Sequence, residues 1–302
     1  MSSTTPDDTT EVGSYFISNY PPFSFWNKDH LPAAMGALQT APQEMSPIGL
    51  YLHIPFCRKR CKFCYFRVYT DKNSKEIERY VSALGREAEL YQELPGVRGR
   101  PFKFVYFGGG TPSYLSAKQL RGLVDRLRNS IGWDDAEEVT FECEPGTLNR
   151  GKLEAIREIG VTRLSLGVEN FNDEILEENG RAHRSPECLE AYGWARELAF
   201  DQVNIDLISG MVGETEENWK DTVRRALELQ PECLTIYQME LPFNTIYTRE
   251  GVGGTGAVAN WETKRRWVDY AFGEFKAAGY SQSSAYTVVR DADTKFVYRD
   301  AL

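Results

Sequence analysis

The sequence predicts an α/β protein: a parallel sheet of six β–α repeats curled into part of a (β/α) barrel, with an open doubly wound sheet as the alternative. Two observations predict it. Six short apolar runs alternate with stretches of helical periodicity at the spacing of βαβ units. Polar residues and cysteines collect where those runs end, the edge at which parallel α/β folds bind ligands.

Taken in order, residues 1–13 are rich in Ser, Thr, Asp and Pro and are expected to be a disordered tail. Residues 14–47 are expected to be an N-terminal arm. Its aromatic, Pro-bearing run from Tyr15 to Trp26 cannot form a long helix and should dock on the main domain. A short helix is expected near His30–Leu38. Residues 48–245 form the repeating core. Strands are expected at Leu50–Ile54, Lys103–Phe107, Glu138–Glu142, Thr162–Val168, Gln202–Ile208 and Cys233–Met239. Helices between them are expected near Ser74–Glu93, Ser116–Ser130, Arg150–Ile159, Asn172–Glu178, Pro186–Leu198 and Thr215–Leu229, with Ser74 as the cap of the first. Residues 246–302 are expected to begin a C-terminal domain. They follow a Gly-rich loop over Pro242–Asn260 and hold a helix at Trp261–Ala278 and a strand at Tyr280–Tyr286. The end at Phe296–Leu302 carries no helix-stop or turn signal and reads as truncated.

Composition narrows the function classes. The 302 residues hold 35 Lys plus Arg against 44 Asp plus Glu, a net charge of −9, which disfavours a general nucleic-acid binder. No apolar run is long enough to span a bilayer, and the polar N-terminus has no signal core, so a cytoplasmic protein is expected. In that compartment six cysteines point to metal binding rather than disulfides. Cys143, Cys188 and Cys233 are scattered singly and read as small buried apolar residues.

Cys57, Cys61 and Cys64 are different. They are spaced C-x3-C-x2-C directly after the first strand. Three thiolates suit an iron–sulfur cluster with one iron left open to a small molecule, whereas a structural zinc would want four ligands. Further polar groups fall at successive strand ends: Gly108, Gly109, Gly110 and Thr111 after the second, Glu142 after the third, Glu169 after the fourth and Asp206 in the fifth. Tyr237–Glu240 ends the sixth and lines the substrate side or is an ordinary strand end.

The cysteine spacing, with Phe63 before the last Cys, is similar to the cluster motif of the radical S-adenosylmethionine (SAM) superfamily. More narrowly, the chain resembles oxygen-independent coproporphyrinogen III oxidase and its relatives. The resemblance is carried by Tyr51–Cys57, Tyr106–Pro112, Phe141–Pro145, Arg163–Phe171 and Val203–Gly210, and runs over residues 48–245. It implies a partial (β/α)6 TIM-like barrel of the radical SAM type. It implies a [4Fe–4S] cluster on Cys57, Cys61 and Cys64, whose open iron is chelated by SAM. Reductive cleavage of SAM then gives a 5′-deoxyadenosyl radical that abstracts hydrogen from a tetrapyrrole. The type reaction is oxidative decarboxylation of propionates in porphyrin and haem biosynthesis.

By the same resemblance Tyr51, Gly108 and Glu142 surround this SAM. Phe63, Gly109, Gly110, Glu169, Arg181 and Asp206 match the lining of a second SAM site. Arg181 is otherwise a solvated helix-end charge. The cluster Arg58, Lys59, Arg60, Lys62 and Arg67 is either a solvated face or an attractor for a carboxylate-rich substrate or an acidic flavodoxin- or ferredoxin-like electron donor. Two positions depart from the oxidase. Phe66 stands where it has a further cysteine, and Glu169 where it has a glutamine. Both leave room for relatives on the same scaffold: haem-handling chaperone-like carriers, anaerobic haem-opening enzymes, and methyltransferases or cyclopropanases using two SAM molecules.

Overall fold

The computed structural model describes residues 25–252 and 258–301. The expected tail over 1–13, most of the expected arm and Gly253, Gly254 and Gly256 lie outside them. Six strands run parallel: β1 (Ile48–Ile54), β2 (Phe102–Gly109), β3 (Glu138–Cys143), β4 (Arg163–Glu169), β5 (Gln202–Ser209) and β6 (Cys233–Gln238). Each pairs with the next in sequence order. The register sets Leu52 beside Phe107, Phe107 beside Phe141, Phe141 beside Leu164 and Leu164 beside Val203. Two short antiparallel strands, β7 (Ser281–Gln282) and β8 (Thr287–Val289), extend the sheet beyond β6. β1 and β7 are its two edges and do not pair with each other, so the sheet is open.

Ten α-helices occur among the described residues. They are α1 (Leu31–Gln39), α2 (Ser74–Glu93), α3 (Ala117–Ile131), α4 (Arg150–Glu158), α5 (Asp173–Glu178), α6 (Ser185–Glu197), α7 (Glu216–Leu229), α8 (Ile246–Arg249), α9 (Trp261–Ala277) and α10 (Val297–Ala301). Their starts follow the local chemistry. Asn73, not Ser74, caps α2, and its side chain accepts from Lys75 and Glu76 while Glu76 returns a bond to the Asn73 N–H. Ser116 with Gln119 caps α3 in the same reciprocal way. α7 ends at Gln230, which takes the left-handed conformation at φ 52°.

The core lies between the sheet and the helices. Phe141, Leu164, Leu166, Ile205 and Leu234 are sealed against Leu120, Leu127, Leu153, Ile156, Trp219 and Val223. Each such side chain contributes about 1.5–3 kcal/mol by leaving water. α9 joins the same core through Trp267, Ala271 and Phe275, and the Trp219 indole donates to the Trp267 carbonyl at 2.7 Å. Cys143, Cys188 and Cys233 are buried, as their isolation in sequence suggests. The alternate residues of the strands, Thr140, Ser165, Asn204 and Thr235, are buried but polar. They do not join the apolar core; Ser165 and Thr235 line an internal cavity instead.

One expectation near the C-terminus needs correction. Tyr280–Tyr286 is a hairpin turn rather than one strand, because Ser284 Oγ accepts from the Tyr286 and Thr287 N–H groups at 3.1 and 3.0 Å. Residues after Phe296 coil into α10, which packs on β2. The Tyr298 ring lies 4.4 Å from Tyr106 and edge-on to Phe104 at 5.1 Å.

Candidate active site

The cysteine loop leaves the end of β1 and is tied down by backbone bonds. Cys57 N–H donates to Tyr69 O at 3.0 Å, Tyr69 N–H to Pro55 O at 2.8 Å and Lys62 N–H to Asn179 O at 3.0 Å. Cys57 is buried and Cys61 and Cys64 are half-buried; all three are free thiols. Thr111 Oγ1 donates to Cys57 Sγ, and Arg181 Nη1 to Cys61 Sγ, each at 3.3 Å. Burial pushes the Cys57 thiol up to about 11, with the Thr111 bond opposing, and burial also raises Cys64.

All three cysteines open onto one cavity of about 380 Å³. Tyr106 of β2, Glu142 of β3, Arg163 of β4, Asp206 of β5 and Tyr237 of β6 line it together, so the sheet curls around it. Glu142 is fixed on the wall by the Tyr106 hydroxyl at 2.8 Å and the Gly109 N–H at 3.2 Å. Burial raises its carboxyl to about 7, partly offset by the Tyr106 bond. Tyr51 stacks on Tyr106 at 5.8 Å. Gly109 sits at φ 118°, where a side chain would be strained. A Cβ on Gly110 would lie 3.0 Å from Cys57 Sγ and from backbone atoms of Pro55 and Phe56.

β4 ends in a register shift between Gly167 and Glu169, and Glu169 takes φ 65°. That bulge turns its carboxylate into the cavity, 3.5 Å from Arg181 Nη2. Burial raises the Glu169 carboxyl to about 7, against the pull of Arg181. Arg181 is a buried residue of the site and not a solvated helix-end charge: only 11% of its side chain is exposed. Burial opposes its charge, but Cys61, Glu169 and Glu144 outweigh that and hold the guanidinium charged. Its Nη2 also donates to Gly167 O at 2.6 Å. Asp206 accepts from Ser165 Oγ at 2.8 Å and Asn204 Nδ2 at 2.9 Å, and burial raises its carboxyl.

Phe63, Gly109, Gly110, Thr111, Glu142, Glu169, Arg181 and Asp206 therefore line the same cavity as the three cysteines. Tyr51 and Gly108 stand beside it, behind Tyr106 and Glu142. The basic run is largely engaged. Arg58 donates to Gly146 O at 2.9 Å and to Ala182 O, Arg60 to Cys64 O at 3.1 Å, and Lys62 pairs with Glu178 at 3.2 Å. Lys59 and Arg67 are exposed. Sequence reasoning missed Arg163, Ser165 and Thr235 as cavity residues. It also missed His183, whose ring nitrogens lie 2.9 Å from Glu144 and 3.1 Å from Val168 O. The alternation of Arg163 and Ser165 with Leu164 and Leu166 was the available signal for the first two.

A family model described as the radical SAM superfamily matches residues 51–226. The chain is 31% identical over 206 residues to the haem chaperone HemW of Haemophilus influenzae, covering 68% of this chain and 54% of that protein. It is 34% identical over 191 residues to the oxygen-independent coproporphyrinogen III oxidase of Escherichia coli, covering 63% and 41%. It spans about half the length of the curated relatives it matches. Among solved structures it superposes on the Escherichia coli coproporphyrinogen III oxidase, described there as a radical SAM enzyme, with a TM-score of 0.81 and 26% identity. That superposition covers 95% of this chain and 65% of the other. The match over residues 51–226, on a chain folded like that oxidase, means that this protein belongs to the radical SAM superfamily.

Proposed function

We propose that this chain is a radical SAM enzyme of the coproporphyrinogen III oxidase-like group, acting on a tetrapyrrole by hydrogen abstraction. Members of the superfamily bind a [4Fe–4S] cluster and SAM. Together these supply a 5′-deoxyadenosyl radical by one-electron cleavage of the sulfonium. The observation that carries the proposal is the shared cavity: three free thiols open into the same space as a set of buried carboxylates and a buried arginine.

The donor set fits such a cluster. Cys57, Cys61 and Cys64 would hold three irons and leave one for SAM. Among the described residues no three His, Cys, Asp or Glu side chains converge on a single ion. Three thiolates leave one iron of a cluster open to a small molecule, whereas a structural zinc would want four ligands. Thr111 and Arg181 donate to two of the sulfurs and so help orient the loop's donor atoms. Gly110 leaves the loop room that a side chain would take. Glu142, oriented by Tyr106 and Gly109, would accept bonds from a ribose or an ammonium. Tyr51 and Gly108 would shape that pocket from behind. Phe63, Gly109, Glu169, Arg181 and Asp206 would line a second SAM position, where the Glu169–Arg181 pair alters the hydrogen bonding. Lys59 and Arg67, exposed beside the loop, would face a flavodoxin- or ferredoxin-like donor. No described helix is long and apolar enough to cross a membrane.

Haem carriage is a second reading. Four relatives named haem chaperones, at 31–33% identity, favour it, as does Phe66 in place of the oxidase's extra cysteine. The test is anaerobic reconstitution with iron and sulfide, reduction with SAM and chromatography of the nucleosides. About four irons per chain and 5′-deoxyadenosine are expected, with turnover of added coproporphyrinogen. S-adenosylhomocysteine would move the assignment to methyl transfer or cyclopropanation. A loaded cluster that binds haem and leaves SAM intact would establish a carrier.

A further inference from the structure

We propose that Thr111 is a positioning residue that sets how readily the iron–sulfur centre takes up its electron, through the hydrogen bond from its hydroxyl to Cys57 Sγ. The inference rests on the reading above only in that Cys57, Cys61 and Cys64 hold a [4Fe–4S] cluster.

Thr111 follows the end of β2, and its Oγ1 donates to Cys57 Sγ at 3.3 Å. The backbone holds both residues in place. The Gly110 N–H donates to Ile54 O at 2.8 Å and ties the end of β2 to the end of β1. Thr111 O accepts from the Tyr114 N–H at 2.9 Å, and the Cys57 N–H is held by Tyr69 O at 3.0 Å. Glycine at 110 permits this approach, since a Cβ there would lie 3.0 Å from the same sulfur. A hydroxyl has one hydrogen to donate, and that of Thr111 goes to Cys57. A sulfur bound to iron has lost its proton and can only accept, so the bond keeps this sense when iron is bound. Thr111 and Cys57 are 7% and 8% exposed, so water does not compete for the sulfur.

Reduction adds one electron and spreads its negative charge over the sulfurs; no bond forms or breaks. A donor dipole against a sulfur stabilises the more negative state more than the oxidised one, and so raises the potential. The other two sulfurs are approached differently. Arg181 Nη1 donates to Cys61 Sγ at 3.3 Å, while burial raises the Cys64 thiol and the Phe66 backbone N–H opposes this. Neither donor can be removed alone. Losing Arg181 would strip the buried Glu169 of its counter-charge at 3.5 Å, and the Phe66 donor belongs to the main chain. Thr111 is uncharged, and its hydroxyl can be taken away by itself.

The test uses the full chain and its Thr111→Val, Thr111→Ser and Thr111→Ala variants, each reconstituted anaerobically with iron and sulfide. Iron is counted first. The midpoint potential is then measured without SAM, by dithionite titration with mediator dyes and electron paramagnetic resonance of the reduced cluster. Parent and Thr111→Val differ by hydroxyl against methyl at one size, and Thr111→Ser and Thr111→Ala differ by the hydroxyl with the methyl already gone. In each pair the member without the hydroxyl should have the lower potential, by up to about 59 mV, a tenfold change in the equilibrium constant of a one-electron couple. Thr111→Ser should lie close to the parent. Equal potentials within both pairs would overturn the inference. Equal displacement of Thr111→Ser and Thr111→Ala from the parent would assign the effect to the lost methyl and also overturn it. If Thr111→Val takes up no iron, the Ser and Ala pair decides. Loss of iron from both Thr111→Val and Thr111→Ala would make the hydroxyl a support for assembly and overturn its role in the potential. A parent that loads no cluster overturns the reading of the cysteines and this inference with it, whereas a loaded parent with unmoved variants overturns this inference alone.

Discussion

Replacing Glu169 by glutamine should change how stability depends on pH. The carboxyl is 12% exposed, faces Arg181 at 3.5 Å and titrates near 7 because it is buried. In the unfolded chain a glutamate titrates near about 4.3. Between those values the folded state binds the extra proton, so stability falls as pH rises and the loss is complete above about 7. At about 1.36 kcal/mol per pKa unit, the parent loses about 2 kcal/mol from this group alone between roughly pH 5.5 and pH 8. Glutamine has nearly the shape of the protonated acid and does not titrate, so Glu169→Gln should escape that loss. The assay is urea unfolding of the metal-free, reduced chain at four pH values across that range, comparing midpoints at constant m. The variant should lie close to the parent at the acid end and gain on it as pH rises. Parallel curves would refute the reasoning, since they would mean that Glu169 is already ionised at the acid end.

Cys61→Ala should abolish reconstitution of the cluster; retained iron together with SAM cleavage would sink the central proposal. Glu142→Gln keeps the Tyr106 bond but turns an amide toward the Gly109 N–H, and should weaken SAM binding by about tenfold or more in calorimetry. Gly110→Ala places a methyl 3.0 Å from Cys57 Sγ and two backbone atoms, so iron loading should fall while the far-ultraviolet dichroism is kept. Leu123→Ala, in the sealed core of α3, should cost about 2–5 kcal/mol in chemical unfolding without touching the cavity.

The parallel core was legible because each strand is a compact apolar run followed by a capped helix, and the cysteine spacing marked the end of β1. The carboxylates at the strand ends could be collected for the same reason: in a parallel sheet all carboxyl ends share one edge. What the sequence could not supply was the partner of each. Tyr106 beside Glu142, Thr111 on Cys57 and Arg181 on Cys61 are meetings across 36, 54 and 120 residues. No local pattern encodes such distances. Arg181 reads as a surface charge because it follows a short helix; only the turn after α5 carries it inward. The Ser-rich stretch after α9 has the alternation of a strand, yet Ser284 bonds to its own backbone and turns the chain instead.

The two faces of each strand answer to different demands. Leu164, Leu166, Ile205 and Leu234 hold the protein together from behind, while Arg163, Ser165, Asp206 and Thr235 face the cavity. A substitution at one set is nearly invisible to the other. Descendants of such a chain could therefore change what they act upon by exchanging every second strand residue, one at a time, without passing through an unfolded ancestor. The lining can vary more readily than the core because its side chains supply little of the apolar burial that holds the sheet to its helices.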